Sequence, residues 1–356
     1  MANNDTVVMV GLGYIGLPTA ALMASRGLKV TGVDVKQEVV DTINQGKIHI
    51  VEPDLDGLVH HVVKTGSLVA STEPVSADTY LIAVPTPFKG DHEPDIKYVE
   101  AATRGLLPYL KEGDLFIIES TSPIGTTEKM QALIEQERPE LTGKLYMAYC
   151  PERVLPGNVI YELEHNDRVI GGVNTDSTSR ALDFYSRFVK GELHATNAKT
   201  AEMCKLVENS YRDVNIAFAN ELSLICDEAG INPWELISLA NKHPRVNILQ
   251  PGTGVGGHCI AVDPWFIVSD FPKQANIIRQ AREINNYKTL WVIEKIKNEA
   301  LRFEQEQGRP PVVAALGLAF KPNIDDLRES PALEVAEALN GEPWEMLVAE
   351  PHIQSH

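Results

Sequence analysis

The chain has 356 residues, 44% of them hydrophobic and 23% charged, with a formal net charge of −17. That length exceeds one comfortable core, so two or three domains are expected, and the composition excludes a disordered or fibrous chain. The acidic balance, without any Lys/Arg run, excludes nucleic acid as a partner; the absence of a bilayer-length apolar stretch or a signal-type N-terminus sets the expectations of no membrane partner and a cytoplasmic location.

From Thr6 to about Gly191, short apolar strands alternate with helical stretches, which predicts an α/β fold with a mostly parallel sheet. The predicted strands are Val7–Val10, Val30–Asp34, Tyr80–Val84, Leu115–Glu119, Leu145–Tyr149 and Arg168–Ile170. Their continuous apolar runs indicate burial on both faces. Thr200 to Ala229 then lacks Pro and Gly, and Gly230 is a natural stop, so one long helix with Thr200 as N-cap is predicted. A helix of that length bridges domains or forms a subunit interface, or else is a long core helix. A second helical region is expected from Ile277 to Gln305. After Gly308-Arg309-Pro310-Pro311 a new unit begins, with a strand over Pro311–Phe320, a helix over Pro331–Leu339 and a strand over Met346–Glu350. Two strands and a helix do not complete a sheet domain, so this second unit is expected to be truncated, with an unpaired sheet edge. The expected domains are residues 1–195, 196–305 and 306–356.

Gly11-Leu12-Gly13-Tyr14-Ile15-Gly16 follows the first strand and opens an apolar helix. The three glycines serve a tight turn, close approach to a pyrophosphate, and helix–strand packing, and the helix N-terminus offers N–H groups to phosphate. Asp34 ends the second strand, where a carboxylate can bind a ribose and repel a 2′-phosphate. This strand–turn–helix context predicts NAD rather than NADP as cofactor.

The four cysteines stand at 150, 204, 226 and 259, without a C-x-x-C pair. No metal and no disulfide framework are expected. Cys150, Cys204 and Cys226 read as ordinary packing thiols. Cys259 differs, because it follows the glycine run Gly252-Thr253-Gly254-Val255-Gly256-Gly257 and has His258 and Asp263 nearby. His258 either promotes the thiolate or only packs against the loop. Lys205 and Asn209 lie one turn apart on the long helix and form either an oxyanion-binding pair or a solvated lysine beside a surface asparagine.

Taken together, the segments GLGYIGLPTA, VPTPFKGDHEPD, ESTSPIGTTEKM, YCPERVLPG, AEMCKLVENSYRDVNIAFANEL, HPRVNILQPGTGVGGHCIAVDPWF and LGLAFKPNIDDLRESPALEV resemble the UDP-glucose/UDP-N-acetylmannosamine dehydrogenase family over nearly the whole chain. The cysteine loop is similar to that of the UDP-N-acetyl-D-mannosamine branch. The resemblance implies an N-terminal Rossmann-like domain, a central helical region through which a homodimer forms, and a UDP-binding second Rossmann-like unit. It implies NAD-dependent four-electron oxidation of the C6 alcohol of a UDP-sugar, UDP-N-acetyl-D-mannosamine first, UDP-glucose or UDP-N-acetylglucosamine as alternatives, for surface polysaccharide synthesis. The route it implies runs through an aldehyde, then a thiohemiacetal and a thioester on Cys259.

The same resemblance implies roles residue by residue. Cys259 is the nucleophile, Lys205 and Asn209 stabilise the oxyanion, and Asp263 assists proton transfer. Thr121 and Glu152 line the site, with Glu152 serving the thioester stage. Gly11, Gly13, Tyr14, Ile15, Gly16, Asp34, Pro85, Thr86, Thr121 and Arg328 contact the cofactor. Glu152, Arg153, Lys205, Asn209, Arg245, Asn247, Gly256 and Lys321 contact the substrate, Arg245 from a neighbouring subunit. Two other readings compete: a two-electron dehydrogenase of the 6-phosphogluconate or 3-hydroxyacid kind, which needs no cysteine, and a truncated, non-catalytic NAD-binding or oligomer-partner protein. The short terminal unit sets the expectation of weak binding of the uridine part.

Overall fold

The computed structural model describes residues 6–90, 92–154, 157–322 and 324–353. The chain forms two compact units, Met1–Lys205 and Leu206–His356. The first contains β1 (Thr6–Val10), α1 (Gly16–Ser25), β2 (Lys29–Val33), α2 (Gln37–Asn44), α3 (Leu55–Lys64), β3 (Leu68–Ser71) and β4 (Thr79–Ile82). A small hairpin of β5 (Phe88–Lys89) and β6 (Glu93–Pro94) follows, then α4 (Lys97–Leu106), β7 (Leu115–Ile118), α5 (Thr126–Glu137) and β8 (Tyr146–Tyr149). The unit continues with α6 (Val159–His165), β9 (Arg168–Gly172), α7 (Thr175–Tyr185) and β10 (Leu193–Asn197).

Eight of these strands make one sheet in the order β10-β9-β8-β7-β4-β1-β2-β3. Its pairings are parallel except that of β8 with β9. From β3 to β8 the order is doubly wound and reverses between β1 and β4, the switch point beside which such sheets bind ligands at their carboxyl ends. Alternation in β1 sends Val7 and Met9 into one core layer with Leu17 and Ala20, and Val8 into the other with Tyr80 and Phe116. Each buried Val, Met, Leu or Phe among them contributes roughly 1.5–3 kcal/mol. All six predicted strands form. The two that the apolar runs do not mark are β3, four residues of alternating burial, and β10, which leaves His194, Ala195 and Asn197 exposed.

Helix α8 (Ala198–Ala229) starts in the first unit and ends in the second. Its 32 residues span about 48 Å. The predicted N-cap is displaced: Asn197, not Thr200, caps the helix, its Oδ1 accepting from Thr200 N at 2.9 Å. At the other end Gly230 has φ +69°, and Ile231 N donates to Cys226 O at 2.8 Å. This left-handed stop closes the last turn.

The second unit continues with α9 (Pro233–Ala240), α10 (Asp263–Asp270) and α11 (Asn276–Gln307), then β11 (Val312–Leu316), α12 (Pro331–Leu339) and β12 (Glu345–Ala349). The last two strands pair in parallel across α12. Between α8 and α11 runs a buried polar seam. Arg282 Nη1 donates to Asp213 Oδ1 at 2.7 Å, Asn285 Nδ2 to the same oxygen at 2.8 Å, and Asn220 Nδ2 to Asn285 Oδ1 at 2.8 Å. Among the described residues, no helix is long and apolar enough to cross a membrane.

Candidate active site

At the switch point the glycine turn has the shape its sequence demands. Gly11 has φ +93°, and a Cβ there would lie 2.4 Å from Ala83 O. A Cβ on Gly16 would lie 1.8 Å from Gly11 O, whereas one on Gly13 would meet nothing within 4 Å. Thus Gly11 and Gly16 are needed for the turn itself, and Gly13 keeps open the space in front of it. Asp34 is fixed at the end of β2, its Oδ2 accepting from Leu12 N at 3.1 Å and its Oδ1 from Lys36 N at 3.0 Å. Tyr14 is exposed, and Ile15 half-buried at the start of α1. These residues fit a dinucleotide: an open glycine face, a helix N-terminus for the pyrophosphate and an oriented carboxylate for the ribose.

The neighbouring carboxyl ends of β4 and β7 hold Pro85, Thr86 and Thr121, with Val84 N donating to Ser120 Oγ at 2.9 Å across the two loops. The Thr121 loop leads into α5, whose N-cap, Gly125, has no side chain to satisfy the first N–H groups. Glu202 of α8 does so instead, accepting from Gly125 N at 2.5 Å, Thr127 N at 2.8 Å and Thr127 Oγ1 at 2.7 Å. Burial raises its pKa above the ordinary value while these donors oppose that rise.

Past β8 the chain carries Glu152, 7% exposed. Its Oε1 accepts from Arg153 N at 2.5 Å, its Oε2 from Arg168 Nη1 at 3.1 Å, and its backbone carbonyl from Lys205 Nζ at 2.7 Å. Behind it Tyr185 Oη donates to Glu119 Oε1 at 2.5 Å. Burial pushes the Glu119 carboxyl up to about 7, against the pull of Arg168. Burial likewise pushes the Cys150 thiol up to about 12, which leaves it without thiolate at neutral pH. Cys226 is also buried, and Cys204 half-buried.

In the second unit, Cys259 is half-buried and ends the glycine loop. Its carbonyl accepts from Val262 N at 3.1 Å and Asp263 N at 2.8 Å, a turn that starts α10. The Asp263 carboxylate, 3% exposed, accepts from Asn209 Nδ2 at 2.6 Å. Asn209 is therefore not a surface amide. Gly252 N donates to Asn220 Oδ1 at 2.8 Å, and Thr289 Oγ1 to Thr253 O at 2.9 Å, so α8 and α11 both hold the loop. A Cβ on Gly256 would lie 2.6 Å from Glu329 O, and one on Gly257 2.8 Å from the Phe320 ring. Gly257 N donates to Arg328 O at 2.9 Å.

The remaining candidates lie further out. Arg328 makes a two-pronged pair with Asp326, Nε to Oδ1 at 2.9 Å and Nη2 to Oδ2 at 2.6 Å. Partial burial raises the Asp326 pKa, but Arg328 outweighs it and holds the carboxyl below its ordinary value, with His258 adding to that pull. His258 and Lys321 are exposed. Arg245 and Asn247 are exposed on a loop that Asn241 ties down, through Asn241 Nδ2 to Ile248 O at 2.9 Å and Ile248 N to Asn241 Oδ1 at 2.7 Å.

Sequence reasoning passed over Glu119, Arg168, Tyr185, Glu202 and the Asn220–Asn285 pair. Glu119 and Arg168 did give a signal, since each is a charge at the end of an otherwise apolar strand. The asparagines gave none.

Comparison with known proteins bears on all of these segments. The UDP-glucose/GDP-mannose dehydrogenase family is matched by its NAD binding domain at residues 5–189, its central domain at 199–287 and its UDP binding domain at 314–356. The chain is 59% identical over 360 residues to UDP-N-acetyl-D-mannosamine dehydrogenase of Escherichia coli K12, covering 98% of this chain and 86% of that protein. It is 56% identical over 358 residues to NDP-N-acetyl-D-galactosaminuronic acid dehydrogenase of Ralstonia nicotianae, covering 98% and 84%. The structure of UDP-D-ManNAc dehydrogenase from Pyrococcus horikoshii superposes with a TM-score of 0.91 at 42% identity, over 98% of this chain and 84% of that one. The doubly wound sheet with its NAD cradle, the long central helix and the terminal βαβ unit are the layout of these enzymes, and the chain belongs to the UDP-glucose/GDP-mannose dehydrogenase family.

Proposed function

We propose that this chain oxidises UDP-N-acetyl-D-mannosamine at C6 to the uronate in the cytoplasm, through a thioester on Cys259. The observation that carries the reading is the cluster at the start of α10. There the buried Asp263 binds Asn209 at 2.6 Å through its carboxylate and the Cys259 carbonyl at 2.8 Å through its N–H. One short turn thus fixes the backbone of Cys259 relative to the Asp263 carboxylate, and that carboxylate is bonded to the Asn209 amide of α8. The E. coli and P. horikoshii relatives support the choice of sugar.

NAD, which the Gly11–Gly16 turn and Asp34 would hold, would supply the hydride acceptor, one molecule for each of the two successive two-electron oxidations. The chain's own residues do the rest. Asp263 and Lys205 take up and pass on the C6 hydroxyl proton. The Cys259 thiolate adds to the resulting aldehyde, and its sulfur leaves on that carbon a hydrogen that the second oxidation removes. Lys205 and Asn209 stabilise the oxygen that carries negative charge at each tetrahedral stage. Water then attacks the thioester, with Glu152 accepting a proton and Cys259 leaving as thiolate.

The test is NADH formed per UDP-sugar consumed, with the N-acetylglucosamine, N-acetylgalactosamine and glucose nucleotides run beside the N-acetylmannosamine one. Two NADH per sugar, with the N-acetylmannosamine nucleotide preferred, is the expected result. One NADH per sugar identifies a simple alcohol dehydrogenase, and preference for another sugar corrects the substrate.

The reading extends to a homodimer through the central helix. Tyr211, Phe218 and Ile225 recur every seven residues on α8 and are 70%, 52% and 56% exposed. Seven-residue spacing keeps all three on one face of the helix, and apolar side chains in such a row favour burial against a partner. Phe218→Glu with Ile225→Glu is expected to halve the mass measured by light scattering. An unchanged mass would place the dimer contact elsewhere.

A further inference from the structure

We propose that Arg168 is a positioning residue for Glu152, holding its carboxylate for the water that releases the product; this rests on the thioester reading above. The antiparallel register of β8 and β9 pairs Ala148 with Gly172 and Tyr149 with Gly171. Continued along both chains, that register sets Arg168 opposite Glu152. The two side chains meet there, Nη1 to Oε2 at 3.1 Å, with Arg168 only 3% and Glu152 8% exposed at the side chain.

The guanidinium is itself fixed on its other sides. Nη2 donates to Leu163 O at 3.2 Å, and the Tyr185 ring lies 5.7 Å from the guanidinium carbon. The Tyr185 hydroxyl is in turn spent on Glu119. Glu119 Oε2 is buried without a hydrogen-bond partner, and this second carboxyl shares the field of the Arg168 guanidinium. Buried charge of this kind is retained only where it is paired. Here the pairing reaches outward from the core to the one carboxylate, Glu152, that the reading assigns to hydrolysis. With Arg153 N on Oε1 and Arg168 on Oε2, both oxygens are located, and each keeps a lone pair for water.

In the hydrolysis, the water oxygen bonds to C6 and the C6–Sγ bond breaks. One water proton passes to Glu152, and the electron pair of the broken bond stays on Cys259. Arg168 takes no part in the exchange. It prevents the carboxylate from turning away.

The test separates the two halves of the reaction. With Arg168→Gln, the burst of NADH on mixing with UDP-sugar and NAD is expected to keep its rate and amplitude. Steady-state turnover should fall at least tenfold, and intact-mass spectrometry should show the uronyl thioester accumulated on the protein. Arg168→Lys restores the charge without the second donor and should recover part of the hydrolysis rate. Glu152→Gln should accumulate the same adduct. Normal turnover by a folded Arg168→Gln protein overturns the proposal, and so does a fall in which the burst slows equally and no adduct forms. If Arg168→Gln does not fold, Arg168→Lys decides: slowed hydrolysis with an adduct supports the role, and unchanged turnover removes it. Acid formation by Cys259→Ser would overturn the thioester reading itself, an outcome distinct from an inert Arg168.

Discussion

Cys259→Ser is expected to bind NAD and UDP-sugar as the unaltered protein does and to lose uronate formation by at least about a thousandfold, roughly 4 kcal/mol of barrier. The reason lies in the two chemical demands placed on this atom. In the proposed route it must add to an aldehyde at neutral pH and then leave from an acyl carbon. A thiolate does both, whereas a serine hydroxyl is almost fully protonated and forms an ester that releases slowly. The Asp263 turn is bonded to the backbone carbonyl of residue 259, which serine keeps. Activity is followed as NADH, and binding by calorimetry with UDP-sugar. Cys150→Ser serves as the contrast, because that thiol lies buried with its pKa raised to about 12 and has no part in the chemistry. Uronate made at the normal rate by Cys259→Ser would eliminate the covalent route.

The second large effect concerns stability. Arg282→Met is expected to cost about 3–5 kcal/mol, because it strands the Asp213 carboxylate in the seam between α8 and α11. Asp213 is fully buried and Arg282 3% exposed. Burial already raises the Asp213 pKa, with Arg282 and Asn285 opposing that rise. The double variant Asp213→Leu with Arg282→Met should regain most of the loss, since no ion then remains to be desolvated. Guanidinium unfolding midpoints of the single and double variants measure the difference. A cost below about 1 kcal/mol for Arg282→Met would mean that Asp213 is neutral in the folded chain. The single variant should also slow turnover, because the same seam continues through Asn285 and Asn220 to Gly252 at the start of the cysteine loop.

Much of this was legible in the sequence because local rules and the fold agree. The Gly11–Gly16 turn, the apolar strands buried on both faces and the Gly230 stop all follow from backbone sterics and hydrophobic periodicity, and they formed where the sequence placed them. β10 was hidden because an edge strand with polar exposure carries no apolar run. Thr200 was the wrong cap because Ser, Thr, Asn and Asp all accept from a helix N-terminus, and only the backbone decides which of Asn197 and Thr200 stands outside the helix. The candidate site was legible as a cluster where one segment carries several of its members, as with Cys259 and Asp263, which one turn brings together. It was not legible where the partner lies far along the chain. Arg168 meets Glu152 through strand register, Glu202 caps α5 across 75 residues, and Asn220 reaches Gly252 across 32. No spacing rule relates such pairs.

The seat of the cysteine loop has a thermodynamic corollary. Gly256 and Gly257 lie against Phe320 and Glu329, and Gly257 N is bonded to Arg328 O, so the Cys259 loop and the segment leading into α12 order together. A ligand that binds better to the ordered form of that segment favours the ordered loop by the same free energy, and occupancy of the loop must strengthen the ligand's binding in equal measure. If the proposed substrate seats its nucleotide on that segment, nucleotide binding and chemistry at Cys259 are coupled through the backbone contacts of Gly256 and Gly257.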